Sequence, residues 1–161
     1  MDTMPDSASF DQFEQVLVHS GLRASLAFLL QQTDYRFIGI FRIEIGRAST
    51  AVHYDRENPG VLQTQEVPET ATYCCYVREA QAPFTTRNAL LDPRLTSHPA
   101  RNTVSAYCGV PVMTPEGVVL GTLCHYDVVP RDPEQINLHL ILQVASALAQ
   151  RGLIPDYPHA A

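Results

Sequence analysis

The stretch from Val104 to Asp127 constrains this chain most. Two runs rich in β-branched residues, Val104 to Met113 and Val118 to Asp127, are separated only by Thr114-Pro-Glu-Gly117. Pro115 presets φ for the turn and Gly117 tolerates a positive φ, so the segment reads as a tight antiparallel hairpin. An isolated hairpin is marginal in water, so further strands and a covering layer must be found elsewhere.

The strands come from the first half. Arg36 to Ile45 is dense in aromatic and β-branched residues, with Phe37, Phe41, Ile43 and Ile45 on one face by period two, and it reads as a central strand. Ala48 to Tyr54 reads as the next strand, Asp55-Arg-Glu-Asn-Pro-Gly60 as a polar turn, and Val61 to Val67 as a third, shorter strand. The covering layer comes from the ends. Apolar residues recur every three or four positions from Ser9 to Gln32, a helical pattern that Ser20-Gly21 divides in two. After Pro130, Asp132 can cap a helix, Pro133 suits its first position and Gln135 can complete a capping box; the apolar stripe Ile136, Leu140, Ile141, Val144, Ala145, Leu148 then runs to about Arg151, with Gly152 as the stop. Between these regions lie a short helix over 72–79, an extended piece over 83–86 and a long irregular tract over 87–102. Strands grouped between helical ends predict an α+β layer arrangement around an antiparallel sheet.

With 161 residues the chain supplies one core. We place a single domain over 9–153 and expect flexible termini at 1–8 and 154–161. The net charge is -6 and every positive charge is an arginine, so a Schiff-base lysine and a P-loop lysine are excluded and a basic nucleic-acid groove is not expected. No run approaches the length of a membrane span, and no leader-like segment opens the chain, which gives the expectation of a soluble cytoplasmic protein with no membrane partner. Its four cysteines then read as thiols rather than as a disulfide framework.

Read in order, Ser105-Ala-Tyr-Cys-Gly-Val-Pro-Val112, Pro115-Glu-Gly117, Leu120-Gly-Thr-Leu-Cys124, Asp127 and Pro130-Arg131 resemble the GAF domain pattern. The upstream helix at Cys74 or Cys75 and the Leu91-Asp-Pro-Arg94 loop fit it too. The resemblance implies a profilin- or PAS-like sheet of about six strands, with terminal helices on one face and a small-molecule pocket under loops and a short helix on the other. It does not imply a ligand, because the fold hosts nucleotide, bilin and haem sites, redox sensors, dimerisation modules and a methionine sulfoxide reductase.

The residues must therefore be weighed one by one. Cys74 and Cys75, adjacent on a helix, point about 100° apart and make poor joint ligands. Cys108 and Cys124 lie on paired strands and come close if the register permits; otherwise they are small core residues. The reductase uses a loop cysteine that 95–103 lacks. The bilin and cyclic-nucleotide signatures are absent as well, since Cys124-His125 falls on a strand and an Asn-Lys motif cannot occur without lysine. None of the six histidines has metal-ligand spacing. Tyr107 and Cys108 alternate, so only one of them faces a pocket. Asp92, Arg94, His98 and Arg101 sit in the long tract, where arginine can grip a carboxylate or phosphate.

The expected pocket residues are thus Tyr54, Cys75, Asp92, Arg94, His98, Arg101, Tyr107, Cys108 and Cys124, with no catalytic residue, no metal ligand and no cofactor required by motif. The expected role is a non-enzymatic small-ligand sensor for an unidentified small molecule. It would act as a homodimer through its terminal helices, where Leu138 and Leu142 widen the apolar stripe, and pass its signal to a separate protein, since Ile154-Pro-Asp-Tyr-Pro158 is too short for an output domain. The alternatives are a cysteine-dependent redox protein or reductase, and a ligand-free dimerisation scaffold.

Overall fold

The computed structural model describes the backbone of residues 4–158 and the side chains of 9–158. Helices α1 (Met4–Ser20) and α2 (Leu22–Leu30) are parted by Gly21, whose φ of 93° ends the first helix as the Ser-Gly pair predicts. Strands β1 (Phe37–Glu44), β2 (Arg47–Asp55), β3 (Val67–Pro68), β4 (Phe84–Thr86), β5 (Ala106–Met113) and β6 (Val119–Asp127) form one six-stranded antiparallel sheet in the order β3-β2-β1-β6-β5-β4. A short helix α3 (Cys74–Ala80) and a closing helix α4 (Leu138–Gln150) complete the fold. The architecture is α+β, as the element order predicts.

Period-two alternation splits the sheet into two buried faces. Ile38, Ile40, Val110, Val112 and Leu123 point toward α1, α2 and α4 and meet Phe13, Leu26, Leu30, Leu140, Val144 and Leu148. Each such aliphatic side chain contributes on the order of 2 kcal/mol by leaving water. The opposite face carries a smaller cluster, Phe41, Tyr73, Cys74, Val77, Leu95, Tyr107 and Cys124, under α3 and the 87–102 tract.

Four expectations need correction. The third strand shrinks to Val67–Pro68, because the Thr64 amide bonds the Thr50 hydroxyl at 2.9 Å in place of a backbone ladder partner. Ile45 lies in the β1–β2 turn at φ 50°, 97% exposed, rather than on the strand face. Asp132 caps only a 3₁₀ turn, Pro133–Gln135; the chain then extends at Ile136, and Asn137 caps α4 by accepting from the Leu140 amide at 3.1 Å. Structure also continues into both expected tails. α1 begins at Met4, and Tyr157 is buried with its hydroxyl on the Glu66 carboxylate, while 1–3 and 159–161 lie outside the described residues.

The Asp-x-x-Pro-Arg motif is a structural knot. Asp127, 1% exposed at the end of β6, accepts from the Arg36 amide at 2.9 Å, the Val128 amide at 2.7 Å and Arg131 Nε at 2.7 Å. It ties the exit of β6 to the entry of β1, and its carboxylate is engaged by donors of the fold itself.

Candidate functional site

Strand register builds the floor of the site. Cys124 sits opposite Gly39 on β1 and Gly109 on β5, so the row His53, Gly39, Cys124, Gly109, Phe84 crosses the sheet with a thiol between two glycines. The glycines let aromatic rings close on the thiol's flanks: Tyr107 folds over Gly109, and Phe41 and His53 pack over Gly39. Phe41, Tyr73, Cys74, Val104, Tyr107 and Tyr126 line a cavity of about 320 Å³ that is flanked by the start of α3, the end of the 87–102 tract and the segment over 64–67. No charged side chain lines it among the described residues.

Its polar groups are few and engaged. Cys74 Sγ lies 3.1 Å from Thr122 Oγ1 and accepts from the Tyr107 hydroxyl at 3.4 Å. Cys124, with Thr122 and Tyr107, draws the Cys74 thiol's pKa down against the opposing effect of burial, while burial pushes Cys124 up. Tyr126 Oη is 2.8 Å from His53 Nε2, and burial lowers the pKa of this histidine, which favours a neutral ring.

The expected site residues divide among four places. Tyr107 and Cys124 face the cavity, which also holds Cys74 rather than Cys75; the Cys75 thiol turns back to donate to the Thr72 carbonyl at 3.1 Å. Tyr54 and Cys108 are corrections. Tyr54 lies on the helix side against Arg23, and Cys108, which pairs with His125, is buried in the helix-side core. Cys108 and Cys124 therefore sit on opposite faces, because the register aligns Cys124 with Gly109.

Asp92 and Arg94 belong to a separate open groove beside β4. They bind each other there, with Arg94 also donating to the Thr85 carbonyl at 2.7 Å and lying over Phe84 at 4.5 Å. Arg101 donates to the Leu90 carbonyl at 3.2 Å and serves loop closure. His98 is a latch. Its Nδ1 accepts from the Ala100 amide at 3.0 Å, which leaves the proton on Nε2 to donate to the Thr72 carbonyl at 3.1 Å, so the ring joins the long tract to the approach of α3.

Sequence reasoning missed Phe41, Thr122 and Tyr126 as parts of the site. Their signal was available once β6 and β1 were paired, since Phe41 faces Thr122 and Phe37 faces Tyr126, but the register itself was not readable. For metals, no group of three or more His, Cys, Asp or Glu side chains converges among the described residues.

No family model matches the sequence. A cyclic di-GMP phosphodiesterase of Pseudomonas aeruginosa is 33% identical over 75 residues, a stretch that is 45% of this chain and 13% of that protein. Among solved structures, the GAF domain of an Acinetobacter phosphoenolpyruvate-protein phosphotransferase superposes with a TM-score of 0.69 at 16% identity, covering 96% of this chain and 94% of that one. A free methionine-R-sulfoxide reductase of Neisseria meningitidis, solved with its substrate, gives 0.67 at 14% identity over 95% and 91% of the two chains. The chromophore-binding domain of a Stigmatella aurantiaca bacteriophytochrome gives 0.66 at 11% identity over 92% and 60%. The fold is that of a GAF domain. No helix among the described residues is long and apolar enough to cross a membrane.

Proposed function

We propose that this chain is a non-enzymatic sensing module whose ligand is a small, uncharged, largely apolar molecule held in the cavity above Cys124. The observation that carries this reading is the lining itself: aromatic rings and aliphatic groups around about 320 Å³, with hydroxyls and thiols but no charge. That volume is at the lower end of small-molecule sites. An anionic ligand such as a nucleotide would face an uncompensated desolvation cost there, because Arg94 is paired with Asp92 and Arg101 donates to the Leu90 carbonyl, both away from the cavity.

Occupancy would act by population shift. A ligand that favours one arrangement of α3 and the 87–102 tract biases the rest of the domain by its affinity difference between the two arrangements and no more. A cytoplasmic setting, a homodimer through the terminal helices and a downstream signalling protein as receiver complete the proposal. Leu138 and Leu142, 36% and 38% exposed on α4, are consistent with such a dimer.

Native mass spectrometry of the protein purified from its own host tests this. An adduct that is lost on denaturation and is uncharged when identified supports the sensor. A clean dimer without adduct, and no binding across a panel of small aromatic and aliphatic compounds, favours the scaffold; an anionic adduct refutes the ligand class.

A further inference from the structure

The cavity wall contains two sulfurs that the sensing role does not use. Cys74 on α3 and Cys124 on β6 are both free thiols, 1% and 0% exposed, and both line the cavity. They share neighbours: Thr122, two positions before Cys124 on the same strand face, touches Cys74 Sγ at 3.1 Å, and the Tyr107 hydroxyl donates to that sulfur at 3.4 Å. Buried structural cysteines are ordinarily inert because nothing reaches them and no second thiol is near. Here both residues line one cavity.

We propose that Cys74 and Cys124 form a reversible intramolecular disulfide when a small peroxide enters the cavity. The Cys74 sulfur attacks one oxygen of hydrogen peroxide, the O–O bond breaks, and Cys74 sulfenic acid forms with release of one water. The Cys124 sulfur then attacks the sulfenic sulfur, the S–O bond breaks, and the second water leaves with the remaining thiol proton. Two thiols are oxidised and one peroxide is reduced, and a small dithiol reverses the bond by exchange.

Several features favour this pair. Cys124, then Thr122 and Tyr107, assist thiolate character on Cys74, the attacking sulfur, against the effect of burial. Closing the bond requires the sulfurs to approach to about 2.05 Å. Cys74 sits at the start of α3, a helix only seven residues long, so the approach asks one short element to shift and not the sheet. The other two cysteines are internal controls: Cys75 faces the Thr72 carbonyl, and Cys108 lies in the core on the far side of the sheet.

The test uses the reduced full chain, native at neutral pH, with hydrogen peroxide at a few equivalents. The expected result is an intact mass lower by two hydrogens, a fall in alkylatable thiols from four to two, and recovery of all four with dithiothreitol. Because Cys74 and Cys75 share a peptide, mapping is done on both the native sequence and Cys75→Ser, and the cross-link must join Cys74 to Cys124 in each. In Cys124→Ser the Cys74 sulfenic acid has no resolving partner, so a carbon nucleophile such as dimedone traps it. If that variant does not fold, mapping of the native sequence still decides. A link that involves Cys75 or Cys108, a link between chains, oxygen addition without a cross-link, or four thiols left unchanged overturns the proposal.

Discussion

The Tyr107 phenol lies flat along β5 over Gly109, so closely that a Cβ on the glycine would come 2.2 Å from the hydroxyl oxygen and 2.6 Å from the ring. This explains the Tyr-x-Gly spacing that opens the recognisable part of the sequence. Residues i and i+2 share a strand face, and a bulky ring can fold down along the strand only where its neighbour has no side chain. The ring's position aims its hydroxyl at Cys74. Gly109→Ala should expel the ring, break that hydrogen bond and destabilise the domain by about 1–3 kcal/mol, the usual scale of overpacking. Urea unfolding measures the loss. Stability within experimental error of the native sequence would show that the ring has another place to go.

The same spacing shows how far the sequence was legible. The β5–β6 hairpin, the break at Gly21 and the two-faced sheet follow from turn chemistry and periodicity, which are local properties. What remained unreadable depends on register and on competing side-chain bonds. Whether Cys124 faces Cys108 or Gly109 is decided by one position of slip, and that slip moves Cys108 to the other face. The α4 cap was misread because two cap signals occur five residues apart, Asp132 and Asn137, and the first is used on a 3₁₀ turn. Arg94 looked free to grip a ligand; its partner, Asp92, is two residues away, and sequence spacing alone does not reveal that the two close on each other.

His125 carries an acid-lability prediction. It is fully buried on the helix side, edge-on to Tyr35, and neither ring nitrogen has a hydrogen-bond partner among the described residues. Burial, assisted by the nearby Arg56 charge, lowers its pKa to about 3. The unfolded chain takes up the proton below pH ~6.5, whereas the folded chain does so only near pH 3. Between those values the unfolded state binds more protons, so stability falls as pH falls, by up to about 1.4 kcal/mol per unit from this group. His125→Leu should hold or raise stability at pH 7 and flatten this slope between pH 6 and 4. An unchanged slope in denaturant titrations across that range would assign the effect to other groups.

Asp92 carries the opposite charge logic with the same direction in pH. Arg94, donating from Nε and Nη2 to the two carboxylate oxygens, holds its carboxyl well below the ordinary range. A depressed carboxyl stabilises the fold above its unfolded pKa of about 3.9, and that contribution is lost as pH falls through the folded value. The Arg94 side chain is 56% exposed, so salt screens the pair. Asp92→Asn keeps the acceptor for the Arg94 amide and should cost about 0.5 kcal/mol or less, whereas Asp92→Ala also removes that turn bond and should cost about 1–2 kcal/mol. Thermal melts at low and high salt separate the two contributions: the deficit of the Asn variant shrinks with salt and that of the Ala variant mostly does not.

The ligand reading is tested most directly by filling the cavity from its loop wall. Ala100 lines the cavity from the tract over 87–102, and its side chain is only partly buried. Its amide, not its side chain, serves the His98 latch. Ala100→Leu adds three carbons toward the empty volume without removing any contact of the sheet, so the fold should stay within about 1 kcal/mol of its original stability. If the cavity is the ligand site, the added bulk competes with the ligand, and affinity for whatever molecule copurifies should fall at least tenfold, about 1.4 kcal/mol. Titration of the identified molecule into both proteins reads this ratio. Equal affinity in a folded Ala100→Leu protein would move the ligand out of this cavity and toward the open groove beside β4, where Arg87 and Arg131 would then become the residues to change.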